Sequence, residues 1–161
     1  MNHTVVVSSR LGAAPAEVWA HASTMEGVNR ELGPWLRMSF PREASGRRLS
    51  SDDVGRVLFT STLSILGVVP YDRHALELVR VVPDQGFTEE STSWTMRKWR
   101  HERTISSEEG GCVITDRVTF EPRLPGVGPL VERIVGRVFQ RRHAVLRGLF
   151  GDAARENGEP G

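Results

Sequence analysis

The stretch from Trp94 to Pro122, WTMRKWRHERTISSEEGGCVITDRVTFEP, decides how this chain folds. It predicts two strands, Lys98 to Ser106 and Cys112 to Glu121, joined through Glu108-Glu109-Gly110-Gly111. Side chains alternate across a strand, so Trp99, His101, Arg103 and Ile105 share one face. On the second strand Cys112, Ile114, Asp116, Val118 and Phe120 share a face. If both apolar faces look inward, the loop sets Ile105 opposite Ile114 and Arg103 opposite Asp116. His101 then falls opposite Val118, and Trp99 opposite Phe120. A His, an Arg and an Asp thus stand on a buried face, where they must be paired or meet a ligand. Arg103 and Asp116 are spaced for a charge-assisted pair, with His101 beside it. Two readings follow: an internal salt bridge that fixes register, or the polar wall of a ligand cavity. Histidine is a residue type suited to acid–base work, so His101 could serve as a base, but no nucleophile motif accompanies it.

Working outward, Thr4 to Arg10 predicts a strand and Ala14-Pro15-Ala16-Glu17-Val18-Trp19 opens a helix, with Pro15 in the first turn. Ser23-Thr24-Met25-Glu26 has the capping-box pattern, with Ser23 as the cap of a second short helix that ends at Gly33-Pro34. Trp35 to Phe40, Val54 to Leu63, His74 to Val82 and Phe87 to Trp94 predict further strands. Leu130 to Phe150 predicts a long helix, its apolar residues recurring at helical spacing. His143, with Arg141 and Arg142, interrupts that stripe; arginines there usually reach to solvent, and Arg142 or His143 could instead bind a carboxylate. The order is α+β: about seven antiparallel strands curved around a long C-terminal helix, with two short helices after the first strand. A sheet wrapped on one helix leaves room for a cavity between them.

Length and composition narrow the function classes. At 161 residues the chain is one domain, taken as 1–151 with a flexible tail at 152–161. Its 21 basic and 20 acidic residues give a net charge of +1, which argues against a nucleic-acid partner. A single cysteine, Cys112, excludes an intrachain disulfide and reads as a small buried side chain. No signal peptide and no membrane span are apparent, so a cytoplasmic location is expected. Five histidines show no metal-ligand spacing, and no phosphate loop or GxSxG motif is present. Neither a metal nor a cofactor is expected. Ile65 to Pro70 is an apolar connection between strands. It either packs over one end of the barrel, gates a cavity, or docks transiently on a membrane or partner.

Several motifs resemble the Bet v 1-like, START-related (SRPBCC) superfamily, and its bacterial polyketide cyclase/dehydrase-like, ligand-binding branch. They are Trp99-x-His101-x-Arg103-x-Ile105, Gly110-Gly111, Thr115-Asp116-Arg117-Val118 and Phe120-Glu121-Pro122. Phe139-Gln140-Arg141-Arg142-His143 with Leu146 and Phe150, and Ala14 to Trp19, match its helices. The branch often carries a second His followed by Phe, where this chain has Arg103 and Ile105. The resemblance implies the helix-grip fold and a cavity for a lipid, polyketide or other hydrophobic small molecule, held by a carrier or sensor. In that cavity Trp94, Trp99, Phe120, Val138 and Phe139 supply apolar contacts, and His101, Arg103 and Asp116 polar ones. The alternative is a cyclase, aromatase or dehydratase in which His101, Arg103 and Asp116 are catalytic, with Arg103 stabilising negative charge. A third reading is a protein-interaction module with a filled core. The sequence leaves oligomeric state open.

Overall fold

A computed structural model describes residues 1–153; of the expected tail, 154–161 lie outside the described residues. The chain runs β1 (His3–Leu11), α1 (Pro15–Ala22), α2 (Met25–Leu32), β2 (Leu36–Met38), β3 (Val57–Ile65), β4 (Val69–Val82), β5 (Gly86–Ser93), β6 (Met96–Glu108), β7 (Gly111–Pro122) and α3 (Gly128–Phe150). The strands form one antiparallel sheet in the order β1-β7-β6-β5-β4-β3-β2, curled in the helix-grip manner around α3. In the β6–β7 hairpin Ile105 faces Ile114, Arg103 faces Asp116, His101 faces Val118 and Trp99 faces Phe120. The turn itself is tighter than the expected loop, because Glu108 and Gly111 are already paired.

The concave face carries two apolar clusters. One gathers Leu11, Val18, Trp19, Leu78, Phe87, Ile105, Ile114 and Leu146; the other gathers Val118, Phe120, Val135 and Phe139. Fully burying one such side chain stabilises the fold by about 1.5–3 kcal/mol. Along each contributing element the polar residues fall between the clusters: His101 and Arg103 between Trp99 and Ile105, Asp116 between Ile114 and Val118, and Arg142 and His143 between Phe139 and Leu146. The core is therefore two apolar blocks with a charged layer between them.

The second helix differs from expectation by one residue. Thr24, not Ser23, caps α2 by accepting a hydrogen bond from the Gly27 amide, while the Ser23 hydroxyl donates back to the Trp19 carbonyl. Glu26, freed from capping, accepts from the Ser45 hydroxyl and the Gly46 amide. α1 and α2 approach closely at Gly27, where an added Cβ would stand 1.9 Å from the His21 carbonyl oxygen. That approach brings His21 to Glu31, one turn along α2. Gly27→Ala is expected to destabilise the protein by about 1–3 kcal/mol, as overpacking does. Urea denaturation checks it, and an unchanged midpoint would mean that the helices separate without penalty.

Candidate functional site

Arg103 is the centre of the charged layer. From β6 its guanidinium donates to both oxygens of Asp116 on β7, Nε to Oδ1 and Nη2 to Oδ2, each at 2.7 Å. The same guanidinium donates to both oxygens of Glu31 on α2, at 2.8 and 2.9 Å. Arg142, from α3, donates Nε–H to Glu31 at 2.9 Å and lies over the Phe139 ring, 4.8 Å from its centroid. His101 and His143 contact the two oxygens of Asp116 at 2.8 and 3.0 Å, and His21 contacts Glu31 at 3.2 Å. The other nitrogen of His143 meets the Ser9 hydroxyl on β1, which also accepts from Arg147. Two guanidinium cations thus stand against two carboxylates. Among the described residues no buried side-chain nitrogen or oxygen lacks a hydrogen-bond partner.

The charge states follow from this geometry. Burial alone would push the Glu31 carboxyl up, but Arg103 and Arg142 hold it below the usual carboxylate range. Burial pushes the Asp116 carboxyl up too, and Arg103 with His101 outweighs it, so it sits well below that range. Burial disfavours the Arg103 cation, and the two carboxylates more than restore it. The His101 ring packs edge-on against Phe87 and Phe139, with centroids 5.3 and 5.1 Å away. These groups face one another, and neither Arg103 nor His101 is directed at an empty space.

The cavity lies elsewhere. The expected space between sheet and α3 is occupied by the charged layer and by Phe139. A cavity of about 160 Å³ opens instead between α2, the half of the sheet made by β3–β5, and residues 39–56. Its floor is Leu58, Phe59, Leu76, Leu78 and Phe87, and Met25, Val28, Met38 and Leu49 close the sides. Residues 39–56 have two short 3-10 turns and no strand, and polar contacts hold them in place. The Leu49 amide donates to the Ser23 carbonyl, Glu26 holds Ser45 and Gly46, and Arg47 pairs with Asp53. Glu89 stands in the cavity wall on β5, half-buried, facing Leu78 on one neighbouring strand and His101 on the other. No protein group pairs with its carboxylate among the described residues.

A second polar group occupies β4 and β5. His74 lies 3.1 Å from the Ser91 hydroxyl and 3.3 Å from Asp72. Asp72 also accepts from the Ser93 and Thr95 hydroxyls and from the amides of Arg73, Trp94 and Thr95. The carboxylate is spent on holding the β5–β6 turn. Neither His74 nor Ser91 lines the cavity under α2, and the contacts of His74 with Ser91 and Asp72 serve the turn.

The sequence-predicted site residues divide accordingly. His101, Arg103 and Asp116 come together in the charged layer, and Phe120 and Phe139 are buried in the apolar block beside it. Trp99 and Val138 are half-buried against that block, and Trp94 is exposed on the β5–β6 turn. None of these eight lines the cavity under α2. Arg142 does bind a carboxylate, but one supplied by the protein itself. Glu31 was missed because α2 is polar in sequence. The available signal was charge balance, since Arg103 and an inward Arg142 require more than one carboxylate. Among the described residues there is no cluster of His, Cys, Asp and Glu that could hold a metal. No helix among them is long and apolar enough to cross a membrane.

Comparison with known proteins agrees with this architecture. Residues 9–150 match the family described as Domain of unknown function (DUF8410). No curated protein matches the sequence. Among solved structures, protein CV1439 from Chromobacterium violaceum is 12% identical, with 92% of this chain and 96% of that chain covered and a TM-score of 0.71. A START superfamily protein from Mycobacterium smegmatis is 14% identical over 92% of this chain and 97% of its own, at TM-score 0.65. The Zhui aromatase/cyclase from Streptomyces sp. R1128 is 12% identical over 99% and 100%, at TM-score 0.69. The fold is that of the START and Bet v 1-like superfamily.

Proposed function

We propose, from the premise that this chain belongs to the DUF8410 family and has a START-like fold, that it binds a small hydrophobic molecule in the cavity under α2. The observation that carries this reading is the cavity itself, a mostly apolar space floored by core side chains of β3–β5. Its position moves the ligand contacts from the predicted residues beneath α3 to Met25, Val28, Leu58, Phe59, Leu76 and Phe87. At about 160 Å³ the space is well below the ~300–1,000 Å³ of pockets for drug-sized ligands. An apolar cavity of ~150 Å³ takes a single benzene-sized ring. A lipid chain or a folded polyketide exceeds it, and a one-ring or short branched aliphatic molecule fits. Glu89, half-buried, and Glu43, exposed, give the wall acceptors without a protein donor among the described residues, which suits a ligand bearing a hydroxyl or amine. The carrier or sensor reading is favoured over the cyclase reading because His101, Arg103 and Asp116 are consumed by one another.

Benzyl alcohol, benzylamine and toluene, titrated by calorimetry, test this. All three are expected to bind, the first two more tightly than toluene and with that advantage lost in Glu89→Gln. Val28→Phe, which fills the space from α2, is expected to weaken binding at least tenfold with little change in melting temperature. Failure of all three probes to bind, or unaltered binding to Val28→Phe, would overturn the proposal and leave the filled-core interaction module.

A further inference from the structure

One end of the molecule gathers most of its exposed apolar side chains. Antiparallel pairing puts the β3–β4 turn, the β5–β6 turn, the β7–α3 connection and the start of β2 at this same end. Cross-contacts tie them together. The Leu66 amide donates to the Trp35 carbonyl, and Arg123 donates its amide to Thr95 and its Nε–H to the Ser93 carbonyl. Of the three readings of Ile65 to Pro70, packing over the barrel is not met: a three-residue connection, Leu66-Gly67-Val68, projects from the paired ends of β3 and β4. Val68 is 76% exposed, Leu124 70% and Trp94 66%. Trp35, Leu66 and Ile134 are more than half exposed as well. A soluble surface seldom exposes so many large apolar side chains together unless something covers them.

The charge around these tips says what covers them. Residues 34–37, 64–73, 93–98 and 121–138 contain seven Arg or Lys and three acidic residues, and the rest of the chain has 14 basic against 17 acidic. Of the three acids, Asp72 is buried and fully used, Glu132 is held by His3, and Glu121 is half-buried near the N-terminal amine and Arg97. One of these seven cations, Arg73, lies over the exposed Trp94 indole at 5.7 Å, and Arg141, further along α3, lies over Trp35 at 5.9 Å. Apolar tips that include Trp, inside a basic collar, match the two layers of an anionic bilayer. Tryptophan and aliphatic side chains favour the interface, and each nearby Lys or Arg adds attraction to acidic headgroups.

We propose that this end of the protein docks reversibly on an anionic lipid bilayer, with Leu66, Val68, Trp94 and Leu124 entering the interface and Arg73, Arg97, Lys98 and Arg123 meeting the headgroups. This surface is separate from the cavity under α2, and the proposal stands or falls without it. Vesicle co-sedimentation of the full chain tests it, with phosphatidylcholine alone and with one part phosphatidylglycerol to three of phosphatidylcholine, at 0.1 M and 0.5 M NaCl. Binding is expected only to the anionic vesicles and is expected to fall at least fivefold at high salt. Trp emission should shift to the blue on binding. Leu66→Ser with Val68→Ser should lower binding at least tenfold, and Arg97→Glu with Lys98→Glu should abolish it, with melting temperatures unchanged because all four positions are exposed. Absence of binding, equal binding to neutral vesicles, or wild-type binding by the serine variant would overturn the proposal. So would a dimer in light scattering that the serine variant converts to monomer, since a second copy would then be the occupant.

Discussion

Arg103→Met is expected to lower the free energy of unfolding by about 3 kcal/mol, the lower part of the ~3–5 kcal/mol range for breaking a buried ion pair on one side. Methionine keeps most of the length and removes the charge, so the loss reports the electrostatic role more than packing. The substitution strips Asp116 of two hydrogen bonds and Glu31 of two. Each carboxylate keeps other partners: His101 and His143 for Asp116, Arg142 and His21 for Glu31. Those residual contacts are why the lower part of the range applies. For a domain of this size the change corresponds to a fall of roughly 10 °C in melting temperature. Urea and thermal denaturation measure it. A melting temperature within a degree of wild type would show that the layer is not the organising feature of the core.

Acidification is expected to destabilise the protein steeply, and the sign follows from the depressed carboxyls. Glu31 and Asp116 bind protons less readily in the folded state than at their ordinary values of 4.5 and 3.8. Below those values the unfolded chain takes up protons that the folded chain refuses, so stability present at neutral pH is lost as pH falls. One such group contributes a slope near ~1.4 kcal/mol per pH unit and two together roughly 2.7, continuing down towards their native values. Asp72, whose burial is outweighed by the hydroxyls of Thr95 and Ser93, adds in the same direction. Urea midpoints should therefore change little between pH 7 and 5.5 and collapse between pH 4.5 and 3. A flat profile through pH 3.5 would mean that these carboxyls bind protons as readily in the folded state as in the unfolded chain, and that the guanidinium contacts do not stabilise their charge.

Much of the fold could be read from local periodicity. The two-residue alternation of β6 and β7, together with one inward constraint, is sufficient to place Arg103 against Asp116. The helical spacing from Leu130 onward marks α3. What could not be read depended on contacts between distant segments. Glu31 sits in the sequence Asn29-Arg30-Glu31-Leu32, which looks like a solvated helix face until α1 and α3 are packed on it. Arg142 resembles any helix-surface arginine, yet Phe139 beneath it and Glu31 beside it turn it inward. The cavity escaped for a related reason. Residues 39–56 have no repeating pattern, and their path is set by Glu26, Ser23 and Asp53 through contacts that no spacing rule anticipates. With the space beneath α3 taken by charge, a hollow is left where that segment bridges α2 and β3–β5.

The charged layer also constrains the order in which the molecule assembles. Its members come one or two at a time from α1, α2, β6, β7 and α3, and their hydrogen bonds are complete only when all are present. A partly folded state with the β6–β7 hairpin formed but α2 undocked holds Arg103 against a single carboxylate. One with α3 docked and α2 absent leaves Arg142 in an apolar setting without its acid. Both arrangements must keep water around guanidinium donors left without an acceptor and cannot close the adjoining apolar blocks. The layer therefore makes half-built cores leaky, and the two blocks are tied into one cooperative unit.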